Sequence, residues 1–423
     1  MNIAAAKESD SERPAYKDLN VLRWLMAYFC SVTGDTMYFL ALSWATVQGV
    51  GDAQVGIVLA AGAVPRAVLM LLGGVVADRF GPRRTVIISD SMRCVVILSV
   101  AAVLMFTQPT LGLLIFTALV FGTVDALFMP AVGALPPRLA PHSQLGRIQG
   151  MRTLVLRLGN TLGPVLAGLA LAVSGPAGAF GSAGVLFTVS LVLLFFVRLL
   201  PSPERDEEDA RETWGHLVDG LRHVRGHTVL TPLVILIALS ELCFTGPISV
   251  ALVLLSKSRG WGESGMGWIL SAFSIGGGFS ALLLTVRTRI PRAGLVMACS
   301  LLIGAAGTAA LGQARSLTVA VGLGALVGLA GGVSMVISNT LVQMETDPRY
   351  LGRVTALVTL CTLGLTPLML PLAGAVAAWW NPGGVFLACG VIIAFSACLG
   401  LGTGGLRRAA LGETAPPGPG ASD

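Results

Sequence analysis

Charge is what this sequence has least of: 12% of its 423 residues are Asp, Glu, Lys or Arg, against 54% hydrophobic. A water-soluble chain of that length needs a far more polar surface, so the scarcity excludes an ordinary set of soluble domains. Lysine is nearly missing, occurring at Lys7, Lys17 and Lys257 alone. Arginine supplies the other basic residues, which we read as genome composition, and the net charge of +6 does not point to nucleic acid. The seven cysteines (30, 94, 243, 299, 361, 389, 398) form no CxxC pair and all lie in apolar stretches, so buried free thiols are expected rather than disulfides or a metal site. The four histidines form no ligand set, and no cofactor is expected. There is no GxxxxGK[ST], no HExxH and no nucleophile elbow, which argues against ATP hydrolysis and against an enzyme.

What is abundant is uninterrupted apolar sequence, with a mean hydropathy of +0.80. A helix needs about 20 such residues to cross a hydrocarbon core of about 30 Å. Twelve segments are long enough, approximately 21–47, 55–77, 85–106, 111–135, 147–173, 180–200, 229–256, 264–286, 294–312, 316–344, 353–379 and 385–405. Backbone groups in lipid must be satisfied within each segment, and runs this long exclude a barrel of short strands. An all-α membrane protein of twelve transmembrane helices is expected.

Arginine and lysine set the expected orientation. With both termini cytoplasmic, 21 of the 28 basic residues fall in inner segments, and Lys257, Arg259 and Arg315 fall in outer loops. Arg66, Arg93, Arg152 and Arg157 fall within spans. The longest polar stretch, PSPERDEEDARETWGHLVDGLRHVRGHT, divides the spans six and six. The expected organisation is a cytoplasmic segment 1–20, a six-helix bundle 21–200, a linker 201–228 carrying an amphipathic surface helix, a second bundle 229–405 and a disordered tail 406–423. No cleavable signal peptide precedes the first span, which is expected to act as an uncleaved anchor.

The halves echo each other. LGR at 145–147 recurs at 351–353, and a glycine follows each arginine by 21 residues, Gly168 and Gly374. Two parallel six-span repeats suit a transporter whose substrate site lies between them near the bilayer midplane.

The densest charge sits in GGVVADRFGPRR, 73–84, the short inner loop between spans two and three. It resembles the signature loop of the major facilitator superfamily through Gly74, Asp78, Arg79, Gly81, Arg83 and Arg84. RWLMAYFCSVTGDTMYFLAL, DRFGPRRTVIISDSMRCVVI, LPPRLAPHSQLGR and WGHLVDGLRHVRGHTVL resemble its macrolide- and siderophore-exporter-like drug:proton antiporters. RLGNTLGPVLAGLAL, 157–171, is similar to that group's span-five motif, with Arg157, Gly159, Gly163, Pro164 and Gly168; Ala167 stands where glycine is frequent. The resemblance implies the two-bundle facilitator fold, a conformational latch in the loop and export rather than import. Read without it, the loop is a positive-inside anchor and the glycines serve close helix packing.

Ionisable groups inside spans are costly and therefore functional candidates. Asp35 in span one, Glu241 in span seven and Asp125 in span four are candidates for proton coupling. The alternatives are a structural hydrogen bond for Asp35 near Gly34 and a static pair of Asp125 with Arg152 or Arg157. Arg66 either pairs with Asp35 or Asp90 or serves the site, and Asp90 with Arg93 is expected in the latch network near the inner surface. Arg66, Arg152, Asn160, Phe244 and Asn339 are candidate cavity residues. The expected activity is export of a hydrophobic or amphipathic small molecule (a drug, antibiotic or siderophore) in exchange for protons, by a monomer in a bacterial cytoplasmic membrane. A lysophospholipid facilitator without proton coupling and a non-transporting sensor are the alternatives.

Overall fold

In the computed structural model, the described residues are 17–139, 144–199, 229–286, 292–346 and 366–402, with Arg222, Val224, Arg225, His227, Val354, Leu357, Val358, Cys361, Thr362 and Leu406. Most of the expected linker, 201–221, the echo LGR at 351–353 and the tail beyond Leu406 lie outside them, as do the side chains of Gly74, Asp78 and Arg79.

Among the described residues the regular structure is helical. The first half contains α1 (Leu19–Gly49), α2 (Gln54–Phe80), α3 (Pro82–Leu104) and α4 (Leu111–Gly133). The stretch Leu145–Phe195 then holds two helices, α5 before and α6 after a break at Gly175. The second half contains α7 (Leu230–Gly246), which widens through a π turn at Pro247–Ala251 into α8 (Leu252–Ser258). It continues with α9 (Gly262–Val286), α10 (Ala293–Gln313), α11 (Leu317–Glu345), α12 (Thr366–Trp379) and α13 (Pro382–Gly402). Nine helical stretches among the described residues are long and apolar enough to cross a membrane, and one of them is the α5–α6 pair. With α2 and α12 they fall in the twelve expected segments.

Local chemistry sets the breaks. Asp18 caps α1 by accepting from the Asn20 amide at 2.8 Å. Gly81 (φ 85°, ψ 134°) stands between α2 and α3, a conformation that a Cβ disfavours, and Pro82 starts α3 where its missing N–H costs nothing. Gly175 (φ 62°, ψ −164°) does the same before Pro176, in a region of backbone space reached essentially by glycine alone.

Within the first half α1 packs along α5–α6, α2 against α4, and α3 against both α4 and α5–α6. In the second half α9 packs on α11, α10 on α11 and α13, and α7 on α12 and α13. The halves meet where α5 lies against α9 and α2 against α12. Glycine makes this seam possible, because lipid supplies no hydrophobic drive and close backbone approach must hold helices together. A Cβ on Gly168 would stand 2.9 Å from the Glu263 carbonyl oxygen and 3.2 Å from the Ser264 Cα.

The seam is polar toward the end that carries the loops after α1 and α8. Lys257 Nζ meets Asp52 Oδ1 at 2.6 Å, and Gln48 donates to Glu263 at 3.3 Å. Ser271 and Ser274 donate to the carbonyls of Thr161 and Asn160 at 2.7 and 3.0 Å. The molecule is therefore closed at this end, the outer end in the orientation expected from the basic residues.

One expectation is corrected. Cys30, Cys94 and Cys243 are buried and Cys361 and Cys389 are half-buried against the core, but Cys299 and Cys398 are exposed, where an apolar thiol is at no disadvantage in lipid. Of the aromatic residues within the spans, Tyr28, Trp44 and Phe128 are core packing and Trp268 is exposed.

Candidate functional site

Below the closed seam lies a cavity of about 890 Å³ between the halves. Leu59, Gly62 and Ala118 on one side and Val327, Gly328 and Thr308 on the other give it an apolar wall, and it extends to Met297, Ser300 and Ser338. Tyr38, Phe39, Phe121, Phe244 and Phe273 supply its aromatic surface. Its charged lining residues are Arg66, Asp125, Arg157 and Glu241, with Asn160 and Asn339 among the polar ones.

Immediately behind the first-half wall is a buried charge cluster centred on Arg93, whose side chain has no solvent exposure. The guanidinium makes a close ion pair with Asp125. It also reaches Asp35 at 3.5 Å and, one turn back on its own helix, Asp90 at 3.7 Å. Ser31 accepts from it at 3.3 Å, and Ser190 donates to Asp90 at 2.6 Å. The Arg66 Nε approaches the other oxygen of Asp125 at 2.9 Å. Asp125 thus connects the cavity, which Arg66 lines, to the interior, where Arg93 sits.

Aromatic rings box the guanidinium. Its carbon lies 3.8 Å from the Phe128 centroid, 5.3 Å from Phe121 and 5.9 Å from Phe187, and Tyr38 stacks on Phe121 at 3.7 Å. Ring faces stabilise a cation but cannot accept a proton, so they hold Arg93 charged while excluding water. The cluster then contains three carboxylates, Asp35, Asp90 and Asp125, against two guanidiniums. A buried excess of one negative charge is expensive, and a single proton removes it.

The structure separates residues that were grouped by sequence. Asp125 pairs with Arg66 and Arg93, not with Arg152 or Arg157, and Arg66 joins Asp125 rather than Asp35 or Asp90. Asp90 and Arg93 were expected in the latch near the inner surface; α3 instead turns both into the buried cluster. Arg152 is absent from the cavity lining and stands 5.2 Å from the Tyr28 ring centroid. Glu241, on α7 of the second half, lines the cavity without joining the cluster. Asn160, Phe244, Asn339, Arg157 and Pro164 all line it.

In the loop, Arg83 donates to the Phe195 carbonyl at the end of α6 at 3.0 Å, a cation on a helix C-terminus. Arg84 is exposed. Gly159 and Gly163 face Val32, Thr33 and Thr36 of α1, while Gly168 faces α9.

Sequence reasoning missed the contributions of Phe121, Phe187 and Ser190. Their only linear signal was presence in apolar spans, since nothing in residue order says that three rings converge on one guanidinium.

Comparison with known proteins adds three findings. The sequence matches the description of the Major Facilitator Superfamily over residues 24–254 and 234–417. The enterobactin exporter EntS of Shigella boydii serotype 18 is 25% identical over 321 residues, covering 73% of this chain and 76% of the exporter. The fold is similar to that of an auto-inhibited POT family peptide transporter (TM-score 0.72, 14% identity, 95% of this chain and 99% of that one). It is also similar to that of the nucleoside transporter NupG (TM-score 0.69, 12% identity, 91% and 99%).

Proposed function

This chain belongs to the Major Facilitator Superfamily, a family of transporters, and from that membership we propose that it exports an amphipathic small molecule in exchange for protons. The observation that carries the reading is the buried cluster with one carboxylate more than it has guanidiniums, two members of which, Arg66 and Asp125, line the cavity. Asp125 and Asp35 share Arg93, so a proton arriving on either releases the guanidinium toward the other. Because Asp35 is on α1, Arg93 on α3 and Asp125 on α4, that exchange alters how three helices are tied together. A protonation that favours one tie over another shifts the balance between two conformations, which is what coupled alternating access requires.

Export is supported by the glycine-rich seam of α5 and by the similarity to an exporter. The bacterial relative and the basic inner segments support a cytoplasmic-membrane location with both termini inside. The cavity is formed within one chain, which supports a monomer as the working unit. A latch role for Asp78, Arg79 and their neighbours stays part of this proposal, with Arg83 on the α6 terminus as its one described contact.

The test is substrate-induced proton movement in proteoliposomes loaded with a pH dye, using a panel of macrolides, phenicols, siderophores and lysophospholipids. The expected result is a compound-dependent proton signal that is lost in Asp125→Asn or Asp35→Asn. Compound flux with no proton signal, unchanged in both variants, would sink antiport and put a facilitator in its place.

A further inference from the structure

Two of the cavity's four charged residues neutralise each other: Arg66 and Asp125 form an ion pair at 2.9 Å. The other two do not. Glu241, on α7, has no ion pair or hydrogen bond among the described residues. Arg157, on α5, has none to a carboxylate there either, and its Nε is buried without a hydrogen-bond partner. Opposite charges in a poorly solvated space would attract strongly if they could meet, yet these two line the same cavity unpaired.

Each has a different setting. One turn after Glu241 on the same helix is Phe244, whose ring lies 4.9 Å from that of Phe273 on α9, and both rings line the cavity. A carboxylate beside two ring faces suits an alkylammonium group. The preceding Ser240 also lines the cavity, and its hydroxyl is buried without a partner. Among the described residues no ring contact is made by Arg157, and its Nη1 stands 3.5 Å from where a Cβ on Gly277 would be, so a side chain longer than alanine there would crowd the guanidinium. A planar guanidinium left without a counter-charge in the cavity suits a carboxylate or phosphate.

We propose that the substrate is amphoteric, with its amine seated on Glu241 beside the paired rings of Phe244 and Phe273 and its acid seated on Arg157, an apolar body filling the space between. Each isolated charge then gains its counter-charge from the ligand, and a molecule carrying one charge leaves the other uncompensated, which is discrimination by an unpaired buried group. Since α5 belongs to the first half and α7 to the second, such a ligand also ties the two halves together. This inference rests on the transport reading for its purpose but not for its test.

The test is equilibrium binding to the purified full-length protein, with no gradient present. The probes are ciprofloxacin, whose secondary amine and carboxylate stand at opposite ends of one fluorescent aromatic skeleton, its carboxylate ethyl ester and its N-acetyl derivative. The parent is expected to bind at least about tenfold tighter than either derivative. Glu241→Gln should abolish the preference over the N-acetyl compound only, and Arg157→Gln the preference over the ester only. Glu241→Asp and Arg157→Lys, which keep charge, should retain part of each.

Equal binding of all three compounds, binding of none, or loss of both preferences in a single variant would overturn the amphoteric site. A failure of the proton assay with these preferences intact would instead remove the antiport reading and leave the site standing.

Discussion

Arg93 offers the sharpest perturbation. Its guanidinium touches Asp125 and Asp35 across helices and Asp90 along its own, with three rings around it and no solvent. Arg93→Met keeps much of the volume and removes the charge, leaving three carboxylates facing Arg66 alone. Removing one partner of a buried pair costs about 3–5 kcal/mol. Lost ring contacts add roughly 1–2 kcal/mol. Against a typical native stability of about 5–15 kcal/mol, that is a large part of the whole.

The charge count makes a further demand. Arg93→Met combined with Asp35→Asn restores the wild-type excess of one negative charge while keeping the Arg66–Asp125 pair. The double variant should therefore unfold at a higher temperature than the single one, and below the wild type because the ring contacts remain lost. Tryptophan fluorescence on heating in one detergent, compared across the three proteins, reads this order. If Arg93→Met melts with the wild type, or if adding Asp35→Asn lowers the melting temperature further, the cluster is not held by charge balance and the proton argument built on it fails.

Two further outcomes follow from the seam. Gly168→Ala should cut transport severely with expression retained, because its Cβ meets Glu263 and Ser264 backbone across the seam; Gly163→Ala, whose Cβ would stand 2.9 Å from the Thr36 Cβ within the first half, where side-chain rotation gives no relief, should also lower the melting temperature in a side-by-side comparison. Asp52→Asn removes an ion pair whose side chains are 49% and 46% exposed, so it should favour opening at that end by no more than about 1 kcal/mol, or fivefold. Distances between spin labels on α1 and α8 would show that shift, and a larger change would mean that Asp52 does more than pair with Lys257.

The apolar runs alone determined that this chain is a helical membrane protein of two halves, because transfer of a residue into lipid depends on its own side chain and on backbone bonds made within its own helix. Gly81 was legible in the loop motif, a local conformational constraint, whereas the break at Gly175–Pro176 emerged only with the structure. The candidates Asp35, Asp125 and Glu241 could be named because a carboxylate inside a span is rare wherever it points.

Where they point was a different matter. Arg93 could be read as a partner of Asp90 from its spacing of three, but its contacts with Asp35 and Asp125 depend on the rotation and depth of α1 and α4. Those are set by small-residue faces meeting across long stretches of chain, such as Gly122 against the Gly62 carbonyl. The same packing turns Glu241 into the cavity and away from the cluster. Residue identity fixed which groups must find partners; only the tertiary arrangement decided which partners lay within reach.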